Sequence, residues 1–135
     1  MYPNPFFKDI VVSLELARKL KEKNIVYPTL FYWQIWNDGF SDCVIGMYEN
    51  ERDHFKIKEK IPTYTSTQLI EKIPTSITFL GDYYYFSISK DPTFLNFYEV
   101  SYKTEDGGRI SRLNRKLEDA LAKILLWLNE AGIIK

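Results

Sequence analysis

Few residues in this chain are of types and spacings that could do chemistry. His54 is the only histidine, and it stands in the polar run Glu51-Arg52-Asp53-His54. A nucleophilic triad needs a histidine shielded between a nucleophile and a carboxylate, and this run reads instead as a solvated turn. Cys43 is the only cysteine, so neither an intramolecular disulfide nor a cysteine metal cluster can form. It opens an apolar strand pattern, where a cysteine serves as a small buried apolar residue more often than as a nucleophile. Carboxylates are paired at Glu105-Asp106, in a Gly-containing loop, and at Glu118-Asp119, on the expected charged side of a helix. Acid–base work by two carboxylates needs a cleft and perturbed titration, so solvated charge is the simpler reading of both. No phosphate-cradling glycine loop, nucleophile elbow or HExxH zinc motif occurs. The chain is therefore expected to carry no catalytic residue, no metal and no cofactor, and to lean away from being an enzyme.

Two groups of residues could bind rather than react. Arg109, Arg112, Arg115 and Lys116 gather at what the periodicity marks as the start of the last helix. Cations there oppose the helix dipole unless something compensates them, so they form a candidate anion or nucleic-acid patch assisted by free backbone N–H groups. The competing reading is a solvated turn balanced by Glu105, Asp106, Glu118 and Asp119. The second group is Ala122, Leu126 and Trp127. Leu126 falls on the otherwise charged side of that helix with Trp127 at its edge, which suggests a contact for a second copy or another protein. The tyrosine-rich run DYYYFSIS could stack bases, but it lacks the glycine and basic residue of the RNP1 pattern, and core packing is the favoured role.

Composition narrows the classes further. The chain has 135 residues, 45% of them apolar, 27% charged and 16% aromatic, which is the make-up of a globular domain rich in half-buried strands. Eighteen basic and eighteen acidic residues cancel. Proteins that live on nucleic-acid phosphates usually carry a basic excess, so zero net charge weighs against that role. MYPNPFFKDIVV lacks the basic-then-apolar organisation of a signal segment, and the longest apolar run, Ile124–Leu128, is far too short to span a bilayer. A cytoplasmic protein without a membrane partner is expected.

The elements that must position these residues are legible from the periods. Ser13 precedes the amphipathic stretch LELARKLKEKN, which Asn24 and Pro28 close. TLFYWQIW alternates as a strand. Asn37-Asp38-Gly39 then turns the chain into an antiparallel partner beginning at Cys43. Residues Phe55–Lys60 alternate weakly and carry lysines, as an exposed edge strand does. A short helix over TSTQLIEK, stopped by Pro74, leads to three strand segments: Ser76–Leu80, Tyr83–Lys90 and Leu95–Lys103. In the second, Tyr84, Phe86 and Ile88 are the core side, with Tyr83 and Tyr85 opposite. The pattern Ser111–Ala131 predicts one long amphipathic helix, with Ser111 as N-cap and Gly132 in the left-handed terminal position. The whole reads as a single α+β domain over residues 1–135. It has an antiparallel sheet of about five strands, with N-terminal, short middle and long C-terminal helices packed on one side.

Three blocks together, VSLELARKLKEKNI, IPTYTSTQLIEKIP and YYYFSISKD with the late KLEDALAKILLWLNEAGII, resemble a group of small uncharacterised proteins of Bacteroidetes, often found in prophage or other mobile-element neighbourhoods. The resemblance implies no catalytic residue. It implies an accessory protein of a mobile element over a metabolic enzyme. The expected function is accordingly that of a non-enzymatic accessory protein that binds protein or forms a weak homodimer. The alternative is a nucleic-acid-binding accessory protein using Arg109, Arg112, Arg115 and Lys116.

Overall fold

In the computed structural model, residues 7–46, 57–91 and 96–135 are described. Their elements, after a single 3-10 turn at Phe7–Asp9, are α1 (Leu14–Glu22), β1 (Phe31–Trp36), β2 (Ser41–Ile45), β3 (Ile57–Thr63), α2 (Ser66–Lys72), β4 (Ser76–Phe79), β5 (Asp82–Asp91), β6 (Phe97–Lys103), β7 (Arg109–Asn114) and α3 (Leu117–Glu130). The fold is α+β, and every strand pairing is antiparallel. Seven strands are divided between a three-stranded sheet of order β2-β1-β3 and a four-stranded sheet of order β4-β5-β6-β7. The chain divides into two compact units, Met1–Thr65 and Ser66–Lys135.

In the first unit, α1 forms where the sequence alternates every three to four residues, and it buries Leu16, Ala17 and Leu20. Asn24 ends it in the left-handed conformation, at φ 59°, as one of the few residue types that tolerate it. The β1–β2 turn closes through Gly39, at φ 89°, whose N–H donates to the Trp36 carbonyl at 2.9 Å. The extended stretch before α1 is tied to the sheet through the Val12 peptide, whose N–H donates to Tyr64 O at 3.0 Å. Trp33 Nε1 donates to Val12 O at 2.9 Å and Thr63 Oγ1 donates to the same oxygen at 2.8 Å. Trp33, Cys43 and Ile61 are cross-strand neighbours and all are buried. Cys43 is thus a small core residue, as its strand context suggested. β3 is an edge strand, which is where Pro62 and the lysines of this segment are tolerated.

The second unit is a meander of hairpins packed against α2 and α3. Phe79 pairs with Asp82 across a two-residue turn of Leu80 and Gly81, both with positive φ, at 51° and 86°. One face of the sheet carries Ile77, Tyr84, Phe86, Val100 and Tyr102, by the register Ile77↔Tyr84, Phe86↔Tyr102 and Ile88↔Val100. Tyr102 is fully buried and its hydroxyl donates to Pro74 O at 2.6 Å, while burial holds its pKa well above the ordinary phenol value. α3 supplies Leu121, Ile124, Leu125 and Leu128 to this core, all fully buried. Gly132, at φ 75°, ends α3 in the expected conformation, and Ile133 N donates to Leu128 O at 2.9 Å.

The long helical pattern is corrected at its start. Residues Ser111–Asn114, expected as the cap and first turn of the helix, belong to the edge strand β7, registered on β6 as Lys103↔Arg109, Ser101↔Ser111 and Glu99↔Leu113. The cause lies upstream. Thr104-Glu105-Asp106-Gly107-Gly108 folds as a hairpin loop, with Thr104 N donating to Gly108 O at 2.9 Å and Gly107 at φ 89°. The chain therefore leaves the loop already paired to β6. Once Asn114 ends the ladder, its side-chain oxygen accepts from Lys116 N at 3.0 Å and the helix begins at Leu117.

Candidate functional site

The corrected start redistributes the basic residues. Alternation along β7 puts Arg109 and Arg112 on opposite faces of the sheet. Arg109 is bonded to the nearly buried Glu99, at 3.2 Å, and Arg112 Nη1 donates to the Ser111 carbonyl at 2.8 Å. Arg115 lies over the ring of Phe97, 5.4 Å from its centroid, and Lys116 occupies the N-cap position of α3. The four cations do not share one helix face, and Arg109, Arg112 and Arg115 each already have a contact within the chain. Of the expected partner group, Ala122 is fully buried, so it cannot contribute to an exposed contact. Trp127 packs edge-on against Phe79 at 5.2 Å and lies 6.3 Å from Tyr102, within its own unit. Leu126 is half-buried. Asp119, expected on the charged side of the helix, is buried in the first turn of α3. His54 lies outside the described residues. Among the described residues no cluster of histidine, cysteine or carboxylate could hold a metal. No helix there is long and apolar enough to cross a membrane.

What the four-stranded sheet does bring together is a hollow on its other face. It encloses about 240 Å³ and is lined by Asp82, Tyr83, Tyr85, Thr104, Glu105 and Asp106. Two turns build it. The Leu80-Gly81 turn starts β5 at Asp82, and strand alternation then sends Tyr83 and Tyr85 to the face opposite the core residues Tyr84 and Phe86. The β6–β7 loop stands beside them because Tyr85 is registered on Lys103, so the residues after Lys103 run alongside those before Tyr85. Thr104 Oγ1 fixes this loop by accepting from Gly108 N at 2.7 Å, which holds Glu105 and Asp106 at its tip.

The two tyrosine rings meet edge to face, with centroids 4.9 Å apart, and each residue remains about half exposed, at 52% and 48%. Tyrosines in the core of this fold are buried to the hydroxyl, as Tyr64 and Tyr102 are. Tyr83 and Tyr85 instead leave about half of their surface accessible. Asp82, Glu105 and Asp106 add three carboxylates, none of which has an ion-pair partner among the described residues. Lys103, beside Tyr85 in register, and Arg109, beside Lys103, share that face without lining the hollow. The lining offers aromatic rings, hydroxyls and negative charge, and contains no histidine, cysteine or lysine.

Sequence reasoning left Glu105 and Asp106 to solvent and put Tyr83 and Tyr85 opposite the core side of their strand, without joining them. Each part has a local signal, and only the β5–β6 register brings the two together. If Tyr84 and Phe86 face inward, Tyr83 and Tyr85 must face out, and Asp-Gly-Gly after an alternating strand marks a hairpin.

The second unit is thus an antiparallel meander with an aromatic, acid-rimmed hollow on one face of its sheet. No family model matches the chain, and comparison with characterised proteins and with solved structures returns no match.

Proposed function

We propose that the chain is a non-enzymatic accessory protein that acts in the cytoplasm by binding another protein through the Tyr83–Tyr85 face of its four-stranded sheet. The observation that carries this reading is the pair of half-exposed tyrosines in contact with each other over a lined hollow. Aromatic side chains with a rigid apolar body and a polar tip anchor interfaces at small entropic loss, and folding alone would favour polar residues at such positions. The resemblance to mobile-element accessory proteins accords with a binding role, and a prophage or mobile element is the proposed setting. Nucleic acid is the less supported partner, because the arginines that would serve it are dispersed over two faces of β7 and the loop after it.

The reading is tested by placing a photo-crosslinking residue, p-benzoylphenylalanine, at Tyr83 in the protein's native cells, with the same residue at the exposed Lys19 of α1 as the control. Irradiation should produce a discrete protein adduct from position 83 that is absent from position 19. No adduct at 83, or the same adducts at both positions, would overturn the proposal.

A further inference from the structure

Resting on that reading, we infer that the occupant of the hollow is a lysine or arginine side chain presented by a segment of the partner protein. Three features converge on this chemistry. First, Asp82, Glu105 and Asp106 line one small hollow without a cation of their own among the described residues, although the chain as a whole is neutral. By contrast, the sheet's own Arg109 is drawn to Glu99 and Arg115 to the Phe97 ring. Second, two half-exposed tyrosines line the hollow, and the negative π face of such a ring attracts a cation more strongly as the head group is desolvated. This chain already uses that interaction internally, with Lys60 over Tyr32 at 5.1 Å and Lys90 over Tyr98 at 5.3 Å. Third, the hairpin that carries the tyrosines ends in Leu80, 85% exposed. An apolar residue at the tip favours a polypeptide, which brings apolar stem and neighbouring side chains, over a free polyamine or an inorganic cation. The hollow, about 240 Å³ and open to solvent, has room for one long side chain.

The test uses single amino-acid probes on the intact, isotopically labelled protein, followed by amide nuclear magnetic resonance. Nα-acetyl-lysinamide and Nα-acetyl-argininamide should shift the signals of Asp82–Tyr85 and Thr104–Asp106 in a saturable manner. Nα-acetyl-norleucinamide, which has the lysine stem without the charge, should leave them in place. The loop variant Glu105→Gln/Asp106→Asn, which touches no core residue, should weaken the cationic probes about tenfold. Equal shifts from the norleucine probe, or no shifts from either cationic probe, would overturn the charge assignment. The crosslink at Tyr83 reports occupancy whatever the charge of the partner. A crosslink together with unresponsive cationic probes would therefore refute this inference alone, whereas loss of the crosslink would refute the proposed function.

Discussion

Two single residues carry conformations that folding does not favour, and each makes a measurable claim. Leu80 sits at the first position of a two-residue hairpin turn with φ 51° and its side chain in water. That position wants Asn or Asp, because a Cβ in the left-handed region costs about 1–2 kcal/mol unless a short polar side chain relieves it. Leu80→Asn should therefore raise stability by about 0.5–1 kcal/mol in urea denaturation while removing the apolar tip of the recognition face. A loss of stability would show that Leu80 is packed rather than displayed. Gln34 is the second. It is fully buried on β1, between Asp42 and Lys60 in register, yet neither its amide nitrogen nor its amide oxygen has a hydrogen-bond partner among the described residues. Removing both buried polar groups in a side chain of similar shape should stabilise, so Gln34→Met is expected to raise the denaturation midpoint by the equivalent of about 1 kcal/mol. A lowered midpoint would mean that the amide is satisfied in solution.

At the scale of elements, α1 is fastened to the edge strand β3 through charge as well as packing. Arg18 Nη1 lies 2.8 Å from Glu59 Oε1, and Lys21 Nζ lies 3.7 Å from Oε2. The hydrogen bond from Arg18, reinforced by the charges of Arg18 and Lys21, holds the Glu59 carboxyl below its ordinary pKa. A carboxylate whose folded pKa is depressed stabilises at pH values above its unfolded pKa, about 4.3, and that contribution is lost as the pH falls through the lower folded value. Because the pair is partly exposed, Glu59→Gln should cost less than about 1 kcal/mol at neutral pH. The gap between variant and wild type should close as the pH is taken below about 4, as followed by thermal denaturation. A gap independent of pH would assign the loss to packing. Elements were also where the sequence was most legible. α1, the β1–β2 turn at Gly39, α2, the edge character of β3 and the end of α3 at Gly132 all follow from local period, turn chemistry and caps. β7 was not legible, because Arg109-Ile110-Ser111-Arg112-Leu113-Asn114 fits a helical face as well as an alternating one, and only pairing with β6 decides. The hollow was illegible for the same reason. Tyr83 and Glu105 are neighbours only through the β5–β6 register, which no local pattern fixes.

For the whole molecule, the proposed role is recognition through one face of the four-stranded sheet. The molecule's lone cysteine is in the core, its described residues contain no metal cluster, and its net charge is zero. Two half-exposed tyrosines and three carboxylates without ion-pair partners among the described residues are instead collected by two hairpins of one sheet, on the face opposite Tyr84 and Phe86. If that face exists for a partner, its tyrosines are dispensable to folding and indispensable to contact. The most direct measurement is the crosslink yield from p-benzoylphenylalanine placed at Glu105, compared between the protein with both tyrosines and the Tyr83→Ala/Tyr85→Ala variant. The yield should fall by about tenfold or more in the variant, as for loss of a central aromatic anchor, with the urea midpoint shifted little. An undiminished yield from the variant would contradict the account.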